Sequence, residues 1–292
     1  MRSVSRVTER HVERIRIASV PPVRPKLLVS VRNSVEAFAA VSGGADIIDV
    51  KEPANGSLGR ASLSAIQSIA ERIALHRVST ASSGAAHFHS ELSELQLSVA
   101  LGEVAEWIGG RGSWRGDVIS FLPQARPRYL KLGLAGLGSR GKSPTAWISS
   151  WMHVREQFRG DHKWVAVAYA DHLRADSPAV ESVCAAAAGS GCSVLLIDTF
   201  EKDGSNVFDF MTAGQLRSVR SCTAQAGLQL AVAGRITECE LSSVLPIGPD
   251  IIAVRGAICE AGRRTAAVCE EKVRRFVEAI EAEAVRSAGR QE

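Results

Sequence analysis

Residues 45–59 read ADIIDVKEPANGSLG, an apolar run of strand length followed by a turn. The isoleucines and valine favour a β-strand, and the proline, asparagine and glycine that follow end it. Side chains alternate across a strand, so Asp49 and Lys51 share one face with Ile47. Burying two opposite charges on one face is costly unless they are paired or functional. The segment therefore predicts a strand that carries polar chemistry at its carboxyl end.

Eight stretches of this kind recur along the chain. They are KLLVSV (26–31), ADIIDVK (45–51), HRVSTAS (76–82), RYLKLGL (128–134), KWVAVAYAD (163–171), CSVLLIDT (192–199), LQLAVAG (228–234) and DIIAVRGA (250–257). Most are aliphatic or β-branched on both faces, which is typical of parallel strands covered by helices. Eight strands separated by helices predict a single-domain (β/α)8 TIM barrel. A doubly wound open sheet is the alternative, but its usual glycine-rich fingerprint is missing from LLVSVRNS.

Capping residues predict where the helices between these strands begin. Asn33 or Ser34 can cap the helix of VEAFAAV, and Thr237 opens another helix after the seventh strand. Two Ser-Pro pairs each place a capping side chain before a first-turn proline. They are Ser143-Pro144 and Ser177-Pro178.

The chain of 292 residues, 46% of them hydrophobic, is long enough to bury a large core. We expect an N-terminal tail over residues 1–25 and one catalytic barrel over residues 26–292. A longer insertion is expected around 83–127, near the catalytic face. Within it, HSELSELQLSVALGEVAEWIGG (89–110) is interpreted as a helix and RGSWRGDVISFLPQARP (111–127) as irregular.

The net charge of +4 resides in the tail, where six arginines and two glutamates fall within the first 24 residues. We expect this tail to be flexible or weakly helical. A transit peptide is an alternative that the glutamates count against. The rest of the chain is neutral overall, so no broad attraction to nucleic acid or a membrane surface is expected. Without a signal-peptide h-region or an apolar run of about 18 residues, the sequence predicts a cytoplasmic protein.

Six cysteines lie between residues 184 and 269, without a CxxC pair or a His–Cys cluster at zinc spacing. Several fall in small apolar runs such as VCAAAAG, where a reduced cysteine behaves as a small hydrophobe. Buried thiols are therefore favoured over disulfides or a metal site. We expect neither a metal nor another cofactor.

Charged residues end or follow several other predicted strands. They are Lys131, Asp171, Asp198, Lys202 and Arg255. The carboxyl ends of barrel strands surround the active site, so these side chains should converge with Asp49 and Lys51. Lysines among carboxylates indicate imine chemistry on an aldehyde or ketone. Lowering a lysine pKa from about 10.4 to about 7 takes about 4 kcal/mol, which burial and a second ammonium group can supply.

Glycine-containing loops after the last two strands are candidates for phosphate binding. VAGRIT (232–237) joins a strand to a capped helix start, and VRGAI (254–258) follows the eighth strand. Barrels commonly hold phosphate on backbone N–H groups of these two loops. The small-residue run after Pro53 forms a further loop that could approach an anion. The candidate phosphate-binding residues are Gly234, Arg235, Arg255, Gly256 and Ser57.

Several runs of the sequence, taken in order, resemble a known enzyme family. They are LLVSV, GGADIIDVKEPANGSLG, YLKLGL, YAD, LLIDTFEKDG with FDF, VAGRI and DIIAVRGAIC. Over residues 26–262 the chain closely resembles the (5-formylfuran-3-yl)methyl phosphate synthase family, also called 4-(hydroxymethyl)-2-furancarboxaldehyde phosphate synthase. The combination of DVKEPxxGSLG with LIDTxxKDG is highly specific.

The resemblance implies a TIM-barrel lyase that joins two molecules of glyceraldehyde 3-phosphate, eliminating phosphate and water to form a furan aldehyde phosphate. The family serves methanofuran biosynthesis in methanogens and the related cofactor of tetrahydromethanopterin-linked one-carbon metabolism in bacteria. It implies that Lys51 forms the Schiff base and that Lys131 is the second catalytic lysine. It gives supporting roles to Asp49, Asp171, Asp198 and Lys202. The tail, the 83–127 interval and the extended C-terminus depart from the family pattern.

Two other functions fit parts of the pattern. A different Schiff-base barrel aldolase or a triose-phosphate isomerase would use similar groups. A non-catalytic barrel that binds nucleic acid or a partner through its arginine-rich tail is less favoured, because it leaves the buried lysines unexplained. We expect a small phosphorylated triose as substrate and no nucleic-acid or membrane partner, and a homo-oligomer stays open.

Overall fold

The computed structural model describes residues 24–82, 95–109, 114–138 and 145–288. Eight parallel strands form a closed barrel in the order β1 to β8. The strands are β1 Lys26–Val31, β2 Ile47–Val50, β3 Gln96–Glu103, β4 Tyr129–Gly133, β5 Lys163–Tyr169, β6 Cys192–Asp198, β7 Gln229–Val232 and β8 Ile251–Val254. The predicted (β/α)8 barrel is confirmed, and the open sheet is excluded because β1 pairs with both β2 and β8.

Helices follow most of the strands and cover the outside of the barrel. They are α1 Ser34–Ser42, α2 Leu63–Ser82, α3 Val104–Gly109, α4 Trp114–Ala125, α5 Ala146–Arg155, α6 Val180–Gly189, α7 Ala213–Gln225, α8 Leu241–Val244 and α9 Glu270–Ala288. The last helix, α9, packs on α1 and completes the helical layer. This arrangement leaves the carboxyl ends of the strands facing one open end of the barrel.

The core has two layers because barrel strands bury both of their faces. Inward side chains such as Ile47, Val167 and Leu196 fill the barrel interior. The alternate side chains pack outward against the helices, as Ile48 and Leu195 do. The same alternation sends polar residues at the strand ends into the mouth of the barrel.

The third strand lies later in the chain than predicted. Residues 76–82 form the end of α2, where Leu75 and Val78 are exposed. The strand β3 instead begins at Gln96, and its six central residues are buried. Burial on both faces suits a barrel strand and not a helix with one apolar face. The helix prediction over 89–110 is therefore wrong at β3 and correct at α3.

The interval 83–127 is consequently not a single insertion between two strands. It contains β3, α3 and α4, and α4 occupies most of the stretch predicted as irregular. Residues 83–94 and 110–113 lie outside the described ranges, and so does the predicted tail as far as residue 23.

Two of the predicted helix starts are confirmed. The Asn33 side chain accepts a hydrogen bond from Glu36 N at 2.9 Å and caps α1. Thr237 caps a short 3-10 turn that leads into α8. The start predicted at Ser177-Pro178 is wrong, because α6 begins at Val180 without a side-chain cap. The pair Ser143-Pro144 lies outside the described residues.

All six cysteines are free thiols. Cys184, Cys192 and Cys259 are buried, whereas Cys222 and Cys239 are exposed. The preference for thiols over disulfides is confirmed, but burial holds for only part of the set. Across the described ranges, no helix combines the length and the apolar character needed to cross a bilayer.

Candidate active site

A cavity of about 370 Å³ opens at the carboxyl ends of the strands. This volume falls within the range of small-molecule sites. Its wall takes residues from the ends of β2, β4, β6, β7 and β8 and from the loops after them. Among the residues that the structure describes, three lysines and four arginines line it against one carboxylate, Asp198: Lys51, Lys131, Lys202, Arg235, Arg255, Arg263 and Arg264. This excess of cations favours an anionic ligand.

Lys131 and Asp49 form a buried ion pair at this end of the barrel. Their Nζ and Oδ1 atoms are 2.8 Å apart, and the side chains are 3% and 0% exposed. Asp49 also accepts hydrogen bonds from Ser98 Oγ at 2.8 Å and from Ser30 Oγ at 3.0 Å. The strand register aligns Asp49 with both serines. The carboxylate is therefore hydrogen-bonded on both oxygens, which offsets the cost of burying it.

Lys51 follows β2 and, in the described part of the chain, is a buried lysine without a bonded carboxylate. Its Nζ donates to Ser57 O at 3.3 Å, and 9% of the residue is exposed. Burial, opposed by the charge of Asp198 and reinforced by Lys131, lowers the pKa of Lys51 from 10.5 to about 7. A large fraction of Lys51 is therefore neutral near pH 7. The neutral amine is the form that attacks a carbonyl carbon.

Asp198 ends β6 and is held by three donors. It accepts from Lys202 Nζ at 2.9 Å, Thr199 N at 2.8 Å and Ser57 Oγ at 3.2 Å. Burial alone would raise the pKa of Asp198, but Lys202 and Lys51 hold it below its ordinary value. Lys202 also donates to Thr199 O at 2.6 Å. Asp198 is therefore an ionised, oriented carboxylate beside the Lys51 amine.

Asp171, a predicted catalytic residue, is not among the residues of the cavity wall. Its Oδ1 accepts from Phe200 N at 2.6 Å, and its Oδ2 accepts from Glu201 N at 3.0 Å. Both oxygens are therefore committed to the backbone just after β6. Asp171 holds the loop that carries Lys202, so its contact with the site is indirect.

The turn after β7 brings Gly234 and Arg235 into the wall with positive φ angles of 92° and 57°. A Cβ on Gly234 would lie 3.1 Å from the side chains of Thr199 and Val207, so the close approach favours glycine. Arg235 is exposed and binds no other described residue through its guanidinium. Gly256 lines the wall after β8. These three positions leave room and a free cation for a phosphate.

Two other predicted phosphate ligands are already bonded within the protein. The Ser57 Oγ lies 3.0 Å from Thr199 O and 3.2 Å from Asp198 Oδ2, and Ser57 is not part of the wall. Arg255 does line the cavity, but it forms a buried ion pair with Glu36 at 2.9 Å. The hydroxyl of Ser57 thus supports Asp198, and the Arg255 guanidinium is engaged away from the cavity.

A half-buried carboxylate and a buried phenol near Asp198 were not identified from the sequence. Tyr169 Oη donates to Glu103 Oε1 at 2.6 Å, and Ala135 N donates to Glu103 Oε2 at 2.9 Å. Burial raises the pKa of Glu103 and raises that of Tyr169 well above its usual range. Glu103 ends β3, so the signal of a charge at a strand end was present. It was hidden because the strand itself was assigned elsewhere.

The loop after β8 adds further polar residues that the sequence interpretation did not single out. They are Arg263, Arg264 and Thr265. They lie well beyond the end of β8, so no strand-end pattern points to them. Only the pair of adjacent arginines in the sequence is a signal for an anion.

This arrangement suits amine chemistry on an anionic carbonyl compound. Lys51 supplies a nucleophile, and Asp198, Lys131 and Lys202 can hold or move protons beside it. Within the ranges that the structure describes, no group of three or more His, Cys, Asp or Glu side chains is arranged to hold a metal ion.

The closed parallel barrel with a lysine-lined cavity at its mouth places the chain in the (β/α)8-barrel class, whose active sites lie at this end of the barrel. Residues 27–277 match the family model described as 4-HFC-P synthase. The (5-formylfuran-3-yl)methyl phosphate synthase of Methanopyrus kandleri is 34% identical over 259 residues, which cover 88% of this chain and 100% of that protein. The Archaeoglobus fulgidus enzyme of that name is 31% identical over 256 residues, 87% and 99% of the two chains. The chain belongs to the 4-HFC-P synthase family.

Solved structures of other barrels share the fold. Thiamine phosphate pyrophosphorylase from Pyrococcus furiosus superposes with a TM-score of 0.54 at 15% identity, covering 89% of this chain and 96% of that one. For 3-hexulose-6-phosphate synthase from Salmonella typhimurium the TM-score is 0.51 at 14% identity, with 89% and 99% covered. At these identities the likeness concerns the fold alone.

Proposed function

We propose that the protein is a (5-formylfuran-3-yl)methyl phosphate synthase, a lyase that condenses two molecules of glyceraldehyde 3-phosphate through an imine on Lys51. The observation that carries the proposal is the Lys51 amine, buried at a cation-rich cavity with a pKa of about 7. Family membership and the names of the relatives support the product. The reaction eliminates phosphate and water, and its product belongs to the synthesis of methanofuran-type cofactors.

The first step joins one substrate to the enzyme. The neutral Nζ of Lys51 attacks the aldehyde carbon, and the carbonyl oxygen leaves as water to give a protonated imine. The positive nitrogen withdraws electrons from the adjacent carbon, whose C–H becomes acidic. Asp198 in the wall accepts that proton, because its carboxylate is ionised. The electron pair of the broken C–H bond then forms the carbon–carbon double bond of an enamine.

The second step joins the two substrates. The enamine carbon attacks the aldehyde carbon of the second molecule, and the aldehyde oxygen takes a proton as the electrons return to nitrogen as an iminium. Cyclisation through a hydroxyl group, dehydration and loss of one phosphate then give the aromatic furan, and hydrolysis frees Lys51. The low pKa of Asp198 keeps a carboxylate available for these proton transfers.

The charge of the wall supports a reaction between two phosphorylated molecules. Each substrate brings a phosphate of about two negative charges, and the described wall offers seven basic side chains against one carboxylate. Cations near phosphate form charge-assisted hydrogen bonds, which are stronger than neutral ones. The same surplus also helps to lower the pKa of Lys51, because neighbouring ammonium groups disfavour its protonation.

The domain range, the cofactor requirement and the cellular location of the enzyme are also part of this proposal. Residues 26–292 act as one catalytic domain, supported by the start of β1 at Lys26 and by the packing of α9 on α1. The iminium nitrogen serves as the electron sink, so the chemistry needs neither a metal nor another cofactor. A triose phosphate is the substrate, and we assign the reaction to the cytoplasm.

Incubation of the purified protein with glyceraldehyde 3-phosphate tests the proposal. We expect inorganic phosphate and a furan aldehyde that absorbs in the near ultraviolet, in equal amounts. Phosphate without the furan would contradict the assignment. An aldol product without near-ultraviolet absorption would indicate another Schiff-base aldolase, and dihydroxyacetone phosphate would indicate a triose-phosphate isomerase.

Borohydride trapping tests the site independently of the product. Reduction in the presence of substrate should leave a stable adduct on the Lys51 peptide, read by mass spectrometry. The Lys51→Ala variant should give none, because the other lysines of the described wall, Lys131 and Lys202, are each bonded to a carboxylate. An undiminished adduct in that variant would locate the imine on a different lysine.

A further inference from the structure

The loop 259–268 after β8, called here the β8 loop, forms part of the cavity wall. An antiparallel bridge between Cys259 and Val268 fixes its base, and Glu260 N donates to Ala267 O at 2.9 Å. The residues at its tip line the cavity: Arg263, Arg264 and Thr265. A loop pinned at its base holds its tip residues in a narrow range of positions.

Arg255 holds the tip of this loop from beneath. Its Nε donates to Arg264 O, and its Nη2 donates to Ala266 O at 3.1 Å. Its remaining N–H groups bind Ser30 O at 2.7 Å and the two oxygens of Glu36 at 2.9 and 3.3 Å. A guanidinium has five N–H donors, and here each has an acceptor. Arg255 therefore has no donor left for a ligand.

Arg264, in contrast to Arg255, has N–H donors that no described residue accepts. Its Nη2 donates to Gly56 O at 3.0 Å, and none of the described residues binds its Nε or Nη1. The carboxylates that raise its pKa are bonded elsewhere, Asp198 to Lys202 and Glu52 to Ala54 N. Burial outweighs them and lowers its pKa, so the cation is desolvated without a charge partner. A half-buried cation of this kind is stabilised by an anion.

The position of Arg264 relative to Lys51 indicates which anion Arg264 binds. Arg264 binds the carbonyl of Gly56, and Lys51 Nζ binds the carbonyl of Ser57 at 3.3 Å. The two cations therefore sit on adjacent peptide units of one turn, and both face the same cavity. A triose phosphate has its aldehyde and its phosphate at opposite ends of a three-carbon chain. One such molecule can therefore reach both groups at once.

We propose that Arg264 binds the phosphate of the triose phosphate that reacts with Lys51, and that Arg255 is a positioning residue that acts through the backbone of Arg264. The inference rests on the proposed function for the identity of the substrate. It reassigns the phosphate contact predicted for Arg255 to an arginine nine positions later in the chain. The free donors of Arg264 form the fork that guanidinium presents to a phosphate.

Calorimetric titration with glycerol 3-phosphate tests the Arg264 contact. This probe keeps the phosphate and the three-carbon chain but lacks the carbonyl, so it binds without reacting. We expect Arg264→Met to weaken binding by about tenfold or more and Arg264→Lys to lose less, because lysine keeps the charge without the fork. A loss below about fivefold in Arg264→Met, or no binding to the wild-type protein, overturns the assignment.

Arg274→Met is the matched control. Arg274 lies on α9, is exposed and pairs with Glu270, so its loss removes an equal charge far from the cavity. The affinity of Arg274→Met for glycerol 3-phosphate should stay within about twofold of wild type. A loss of affinity equal to that of Arg264→Met would show that the effect comes from the change in net charge alone. The titration involves no turnover, so it stands whether or not the protein makes the furan.

A double-variant cycle tests the role of Arg255. If Arg255 acts only through Arg264, the single variant Arg255→Lys should have a lower affinity for glycerol 3-phosphate than the wild-type protein. The double variant Arg255→Lys with Arg264→Met should then have the same affinity as Arg264→Met alone. Additive losses would mean that Arg255 contacts the phosphate itself. If Arg255→Lys does not fold, Glu36→Gln takes its place in the same cycle, because it disturbs the same guanidinium from its other side.

Discussion

Two buried charge clusters lie at the same end of the barrel and differ in what their cations bind. Arg255 pairs with Glu36, and all of its donors are satisfied within the protein. Lys51 makes one long hydrogen bond to a carbonyl and has no bonded carboxylate in the described ranges. Both side chains are buried, so burial alone does not separate them. The difference lies in the number of N–H groups without an acceptor among the described residues: Arg255 has none and stabilises the fold, whereas Lys51 has such groups and can react.

The pKa directions agree with this distinction. Burial alone would raise the pKa of Glu36, but Arg255 and Arg32 hold it below its ordinary value, so the pair stays ionised. Burial lowers the pKa of Lys51 to about 7, because the nearby aspartates compensate only part of the cost. The first cluster therefore keeps its charges at neutral pH, whereas the second can release a proton.

The largest expected effect is the loss of furan-forming activity when Lys51 is replaced. Lys51→Met should lower furan formation by on the order of 10⁴-fold or more, because the residue that carries the covalent intermediate is lost. The rate of near-ultraviolet absorbance change at saturating glyceraldehyde 3-phosphate measures it. Lys163→Met is the control, since Lys163 begins β5 at the far end of the barrel. Retention of a tenth of the activity in Lys51→Met would remove Lys51 from the mechanism.

The next effect is on stability. Arg255→Leu should lower the free energy of unfolding by about 3 to 5 kcal/mol, because Glu36 would be left buried with Arg32 as its remaining cation. Urea denaturation followed by circular dichroism measures the loss. A change below about 1 kcal/mol would mean that this ion pair does not hold the fold and would weaken the contrast.

Removing Lys51 should have the opposite effect on stability. Its pKa is about 7 in the folded state and about 10.5 when unfolded, so folding opposes protonation at neutral pH. Lys51→Met should therefore raise the free energy of unfolding at pH 7, by up to about 4 kcal/mol. Between pH 7 and 10.5 the unfolded state binds more protons than the folded state, so the free energy of unfolding of the wild-type protein rises with pH. The increase caused by Lys51→Met therefore becomes smaller over that range. Urea titrations at pH 7 and pH 9.5 test this; an equal gain at both would contradict the lowered pKa.

The smallest effect is on the pH profile. The neutral amine reacts, so kcat/KM should rise about tenfold per pH unit below about 7 and level off above it. In Lys131→Met the neighbouring ammonium is lost and Asp49 loses its partner, and both changes raise the pKa of Lys51. The residual activity of that variant should therefore have its midpoint at higher pH. A midpoint unchanged or shifted to lower pH would show that Lys131 does not tune Lys51.

The strand ends were predictable because alternation and burial follow from local sequence. Lys51, Lys131 and Asp198 line the cavity as the period-two pattern requires, and Asp49 is buried in an ion pair with Lys131. The position of β3 was not predictable in this way. QLSVALGE is flanked by helix-like residues, and only the closure of the barrel decides that it is a strand. Missing β3 also hid Glu103.

The partners of the polar side chains were beyond sequence reasoning. Asp171 was predicted as a catalytic residue, and Ser57 and Arg255 were predicted as phosphate ligands, because of their residue types and their places at strand ends or in the loops that follow. Each is instead committed to groups distant in the chain: Asp171 to the loop after β6, Ser57 to Thr199 and Asp198, and Arg255 to Glu36 and the β8 loop. Such pairings arise from tertiary structure, which a strand pattern does not encode.

The pairing of Lys26 with Ile251 joins the first strand to the last, which has a consequence for synthesis. Until the ribosome has released the final strand, the growing sheet has two unpaired edges that can associate with other chains. Arg255 spans this seam, because it lies beside β8 and donates to Ser30 on β1. A contact that forms after the rate-limiting step of folding slows unfolding more than it speeds folding, and we expect this seam to behave in that way because it needs both ends of the chain. A weakened seam should therefore shorten the lifetime of the native protein with little change in its rate of folding.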